Sequence, residues 1–231
     1  MHISRRGFLG CAASASAAGL AGVAGFGGLA AIPRLRSECL LAIPGPASPL
    51  SESATGYAAA LSASRISFQR TSSQPLAFAP TIIFPAAVTT DATSLGKVRE
   101  QIEDGARVLY ESAASYLGPQ DFGFHKRIIR SVFGLSLHDP VHLWDSADSL
   151  RKSPYVDYHW PVVTKIRDFS RAIPVTPADG ETVAWLQGLP VAAKRRIGKG
   201  TLVYLGSPLG PHFLSGDREA IRWLRAFCAA S

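Results

Sequence analysis

The sequence predicts an α/β domain in which a mostly parallel sheet is covered by helices on both faces, with antiparallel strands at one edge. Three observations point there. Short unbroken apolar runs recur at 39–43, 81–84, 106–110 and 201–205, and strands buried on both faces read this way because neither face meets water. Stretches with apolar residues at helical spacing lie between or after them, at 91–103, 122–133 and 217–229, which is the alternation expected of such a fold. The closing runs at 181–187, 189–194 and 201–205 follow one another with only turns between, so they add antiparallel members at an edge.

The N-terminal stretch is expected to be an address and not part of the fold. Ser4-Arg5-Arg6-Gly7-Phe8-Leu9 fits the twin-arginine export pattern, which carries proteins already folded. No charged residue follows Arg6 until Arg34, and the stretch between is rich in Ala and Gly. That is too weakly apolar for a spanning helix. Gly28-Leu29-Ala30 offers the small residues a signal peptidase reads, so cleavage after Ala30 is expected, with retention as an anchor the other reading. Residues 1–30 are then the signal and 31–231 a single α/β domain. The expected location is the periplasm or another extracytoplasmic space, with membrane contact only in transit.

Composition narrows the classes further. Of 231 residues, 47% are hydrophobic and 18% charged, a globular balance that excludes a disordered chain. The formal charge of +7 is spread along the chain apart from Lys194-Arg195-Arg196. No basic stripe with interleaved aromatics is present, so nucleic acid is not an expected partner. No Gly-rich dinucleotide loop, cysteine cluster or haem signature is present, so no cofactor is expected. Cys39 and Cys228 sit near the two ends of the mature chain. An oxidising compartment permits a bridge between them, and two separately buried thiols is the alternative.

Taken in order, 39–43 is a buried strand ended by Pro44-Gly45-Pro46. Ser51 caps a helix of small residues to about 62, and 65–69 alternates as an outer strand. The run 81–84 is stopped by Pro85. Asp91 opens a helix that Gly105 closes, and 106–110 is the strand that leads into Glu111-Ser112-Ala113-Ala114. The helix at 122–133 turns Ile128, Ile129, Val132 and Phe133 inward, with His125, Lys126 and Arg127 on its solvated side. Five prolines between 140 and 177 predict irregular structure with short elements across 134–180. Gly198-Lys199-Gly200 is a tight turn before 201–205, and 217–229 is a terminal helix.

The order of these segments resembles the class I glutamine amidotransferase-like superfamily over roughly residues 38–229. The carrying motifs are Thr81-Ile82-Ile83-Phe84-Pro85, Asp104-Gly105-Ala106-Arg107-Val108-Leu109, and the closing Gly198-Lys199-Gly200-Thr201-Leu202-Val203-Tyr204-Leu205-Gly206. The last is particularly like the ThuA-like and other non-amidotransferase branches. The resemblance implies a flavodoxin-like three-layer sandwich. It also implies a catalytic Cys on the elbow after the central strand, where this chain has Glu111 and Ser112. The matching stretch for the amidotransferase His-Pro-Glu run is Ser207-Pro208-Leu209-Gly210-Pro211-His212. Glutamine hydrolysis by a thiol is therefore not expected.

Two function classes remain. The first is a non-catalytic domain that binds a small molecule or a protein partner. The second is a serine hydrolase in which Ser112 is lifted by an elbow, His159 or His212 is the base, and Glu111 supports them. Against the hydrolase, the Gly-x-Ser-x-Gly frame is missing and Ser112 suits a helix cap. His138, Asp139, His142 and Asp145 put four potential ligands close together, but Pro140 interrupts them and no second cluster completes a set, so an exposed loop is expected and no metal. Tyr155, Tyr158, His159 and Trp160 form an aromatic patch, read as a lid over the core or as a groove for sugar or peptide.

Overall fold

A computed structural model describes residues 39–43, 50–72, 78–88, 91–143, 154–168 and 171–230. The twin-arginine segment, the turn at 44–46 and Asp145 lie outside the described residues. The strands are β1 (Cys39–Ala42), β2 (Phe68–Thr71), β3 (Thr81–Ala87), β4 (Arg107–Ser112), β5 (Leu135–Leu137), β6 (Val141–His142), β7 (Tyr155–Tyr158), β8 (Thr164–Arg167), β9 (Arg171–Ala172), β10 (Val175–Pro177), β11 (Glu181–Leu186), β12 (Leu189–Ile197) and β13 (Gly200–Leu205). The helices are α1 (Glu52–Ala63), α2 (Ala92–Glu103), α3 (Pro119–Phe133), α4 (Gly210–Leu214) and α5 (Arg218–Ala229).

Nine strands form one sheet in the order β2-β1-β3-β4-β13-β12-β11-β7-β8. The first five are parallel and run in the flavodoxin-like order. The remaining four are antiparallel and extend one edge. The α/β class, the parallel core and the antiparallel edge are thus as the residue pattern predicts.

Alternation along the strands divides the core in two. Cys39, Leu41, Ile83, Leu109, Val203 and Leu205 pack beneath α1, α4 and α5, against Tyr57, Phe213, Trp223 and Phe227. Leu40, Ile82, Phe84, Val108, Tyr110 and Tyr204 pack on the opposite face against Val98, Ile102, Ile129 and Phe133 of α2 and α3. Helices therefore cover both faces. Each fully buried large side chain contributes about 1.5–3 kcal/mol through its removal from water. Cys39 lies in the first of these layers, and neither it nor Cys228 is in a disulfide.

The structure corrects four readings. First, β3 does not stop at Pro85. It continues to Ala87 through a register shift between Phe84 and Ala87, because a bulge tolerates a residue without an N–H. Second, the region 134–180 holds the short elements expected, but it is more ordered than an irregular stretch. It supplies β7 and β8 to the main sheet and two short pairs, β5 with β10 and β6 with β9. Prolines flank these strands more than they interrupt them, so the proline count misleads. Third, His125 is fully buried; it shares the α3 stripe with Phe122, Ile128 and Ile129. Fourth, Ser51 precedes α1 without a side-chain cap bond.

Candidate functional site

Strand β4 carries Glu111 and Ser112 at its carboxyl end, where parallel sheets place ligands. Adjacent residues of a strand face opposite sides. Glu111 accordingly lies among α1, α4 and the bulge of β3, whereas Ser112 lies against α3. They cannot act on one substrate atom together.

Glu111 is fully buried and accepts five hydrogen bonds. One carboxylate oxygen takes the Ser53 hydroxyl and the Ala86 N–H (3.0 Å). The other takes the Tyr57 hydroxyl (2.8 Å) and the N–H groups of Leu209 (2.9 Å) and Gly210 (3.0 Å). Burial pushes its pKa up, and the bonds from Ser53, Tyr57, Leu209 and Gly210 pull it back. The backbone is shaped to serve it. Ala86 adopts φ +44°, a left-handed conformation that costs a non-glycine residue free energy, and so presents its N–H to the carboxylate. Gly210 abuts Ser53, where any Cβ would overlap the Ser53 hydroxyl. Backbone strain thus sits at Ala86 in β3, and neither Glu111 nor Ser112 has the positive φ of a strained elbow.

On the other face, the fully buried Ser112 accepts the Ala114 N–H (3.2 Å) and so caps the short 3-10 turn Ala114–Tyr116. Its Oγ is 3.4 Å from His125 Nε2, which is 3.5 Å from the Tyr204 hydroxyl. Burial pushes the His125 pKa down to about 4. The imidazole beside Ser112 is therefore His125, and not His159 or His212. His159 is exposed and edges onto Trp185 (4.8 Å). His212, in α4, is buried with Nδ1 3.6 Å from Asp217, and burial lowers its pKa against the pull of Asp217 and Asp168. Close by, Ser207 donates to Asp168 (2.5 Å), and burial, helped by the Asp168 charge, raises the Tyr158 pKa.

The aromatic patch after Pro154 divides. Tyr158 is core, 5.3 Å from Trp223, and Trp160 edges onto Phe227 while its carbonyl accepts the Trp223 indole N–H (3.0 Å). Tyr155 is half-exposed. Among the described residues, no three His, Cys, Asp or Glu side chains come together as a metal set; His138 meets Thr176 (3.2 Å) instead.

Among the described residues, open space lies past the 3-10 turn that Ser112 caps. A cavity of about 440 Å³ is bounded by the 3-10 turn, the start of α3 and the β6–β9 pair, with Ser115, Phe122, Lys126, His142 and Arg171 in its wall. A second recess of about 280 Å³ continues along α3 past Lys126, Arg127 and Arg130. Sequence reasoning missed this site because Arg171 and Lys126 are far apart in the chain and neither stands in a motif.

No protein-family model matches the chain, and no curated protein matches it. Solved structures do match. A β-galactosidase from Rahnella sp. R3 superposes with TM-score 0.63 at 13% identity, over 84% of this chain and 30% of that one. The exo-β-1,4-mannosidase Op5Man5 from Opitutaceae bacterium strain TAV5 gives 0.59 at 13%, over 85% and 35%. A cytoplasmic protein from Salmonella typhimurium LT2 gives 0.60 at 11%, over 83% of this chain and 98% of that one. The chain spans about a third of the length of the two glycosidases. At these identities the likeness is one of fold, and the fold they share with this chain is the α/β architecture described above.

Proposed function

We propose that this chain is an amidotransferase-like domain, exported by the twin-arginine route, that works by binding and not by nucleophilic catalysis. The observation that carries the reading is that both residues at the elbow position are fully buried and already committed. Glu111 joins α1, β3 and α4, and Ser112 caps a turn. A nucleophile must reach its substrate, and a hydroxyl with no exposed surface does not. The glycosidase activity named for the matching enzymes belongs to much longer chains and lends this one no activity.

The 3.4 Å approach of Ser112 Oγ to His125 Nε2 favours one second reading, a serine hydrolase that opens around α3. Treating the native protein with a fluorophosphonate probe separates the two. Absence of labelling is expected; labelling that disappears in Ser112→Ala would replace the binding reading with the hydrolase.

A further inference from the structure

We infer that the cavity at the start of α3 binds a small organic anion, whose carboxylate or phosphate group is held by Lys126 and Arg171. The Arg171 guanidinium is pre-positioned. It donates one hydrogen bond to the Ser115 carbonyl (3.3 Å) and lies 5.4 Å from the centre of the Tyr116 ring, which leaves further N–H donors of its planar fork for an oxyanion. Lys126 has only Asp139 as ion-pair partner among the described residues, at 3.7 Å, and that carboxylate is almost fully exposed. Such a pair is weak and readily exchanged.

A second observation, independent of charge, points the same way. Ser115 is 3% exposed and in the cavity wall, yet its Oγ makes no hydrogen bond. Buried hydroxyls without a partner are rare and need an explanation. Its Oγ is closed off from the open space in this rotamer, and a turn about χ1 toward the cavity would let it donate to an oxyanion there. The start of α3 adds to this, since Gly118 brings no side-chain cap to the positive end of the helix, although Asp121 in the first turn opposes an anion there. Leu117, Pro119 and Phe122 line the rest of the space, so a ring or short apolar body fits behind the charged group better than a bare ion.

This inference deepens the binding reading and rests on it, but the two fail separately. Probe labelling of Ser112 would remove that reading and leave the cavity untouched. For the cavity, the full-length protein is titrated at low ionic strength with phenyl phosphate and, in a second arm, with benzoate. Binding of either is expected, and the arm that binds more tightly identifies the head group. Arg171→Gln should weaken it about tenfold or more, and Lys126→Gln about fivefold. Asp139→Asn, which removes the competing carboxylate, should tighten it about twofold. Ser115→Ala should weaken binding while raising the melting temperature of the unliganded protein, because it deletes an unsatisfied buried group. Lys199→Gln, in the turn before β13, should change nothing. Failure of both compounds at millimolar concentration, or affinities indifferent to Arg171→Gln and Lys126→Gln, would overturn the inference.

Discussion

Replacing Glu111 by Gln tests whether this carboxylate is a structural joint. The change keeps shape and swaps one acceptor oxygen for an NH2 group. If the amide oxygen stays with Tyr57, Leu209 and Gly210, the NH2 faces Ser53 and Ala86. The Ser53 hydroxyl can turn and accept. The Ala86 N–H cannot, and a buried donor left without a partner costs about 1–3 kcal/mol. Loss of charge assistance in the three remaining bonds adds to this, while relief of the buried charge subtracts. The net expectation is about 2 kcal/mol, which lowers the melting temperature by about 4–8 °C in a domain of this size. Glu111→Leu strands three backbone N–H groups at once and should cost at least about 5 kcal/mol. Urea unfolding followed by tryptophan fluorescence reads both, since Trp223 is buried in the same layer as Tyr57. A Gln variant within about 0.5 kcal/mol of wild type, or a Leu variant no worse than the Gln, would refute the reasoning.

Two further predictions follow from other residues. The depressed pKa of His125 means that the native state favours the neutral ring, so its contribution to stability is complete above the unfolded value near 6.5 and is lost as pH falls through about 4. That interval corresponds to roughly 3 kcal/mol; the stability difference between wild type and His125→Gln should therefore shift by about that much in favour of the variant between pH 7 and pH 4, and a pH-independent difference would contradict it. For export, Arg5→Lys combined with Arg6→Lys should hold the protein in the cytoplasm on cell fractionation, and unchanged recovery outside the cytoplasm would remove the twin-arginine assignment.

The central strands were legible because burial on both faces leaves an uninterrupted apolar run, and β1, β3, β4 and β13 each show one. The helices α2 and α5 were legible from apolar residues at helical spacing, and the structure adds that Asp91 and Asp217 accept N–H groups at their starts. The edge was harder to read. The segment of β7, Tyr155-Val156-Asp157-Tyr158, alternates inward and outward over only four residues, too short to stand out among prolines. His125 illustrates a different failure. Its polarity and its neighbours Lys126 and Arg127 suggested solvent, although its spacing from Phe122 and Ile129 already placed it on the buried stripe. Period outweighs residue type when a helix covers a sheet, because position fixes which face meets the core.

The same periodicity explains why the elbow position could not be judged from its residue types. Glu and Ser side by side at the end of a central strand look like a reactive pair, but the pleat sends them to opposite layers, and each layer has found a use for its own. The carboxylate gathers donors from three segments that are distant in sequence, Ser53 and Tyr57, Ala86, and Leu209 with Gly210, and so ties the end of the sheet to the helices above it. Ala86 holds its left-handed backbone there, and Gly210 its close approach to Ser53, because the joint requires both. With the carboxyl end of β4 closed in this way, the charged groups that face open space among the described residues include Lys126 and Arg171, past the turn that Ser112 caps. Recognition by fixed charges at that wall, as inferred above, needs neither Glu111 nor Ser112, because the pleat and the packing have already committed both to holding the fold together.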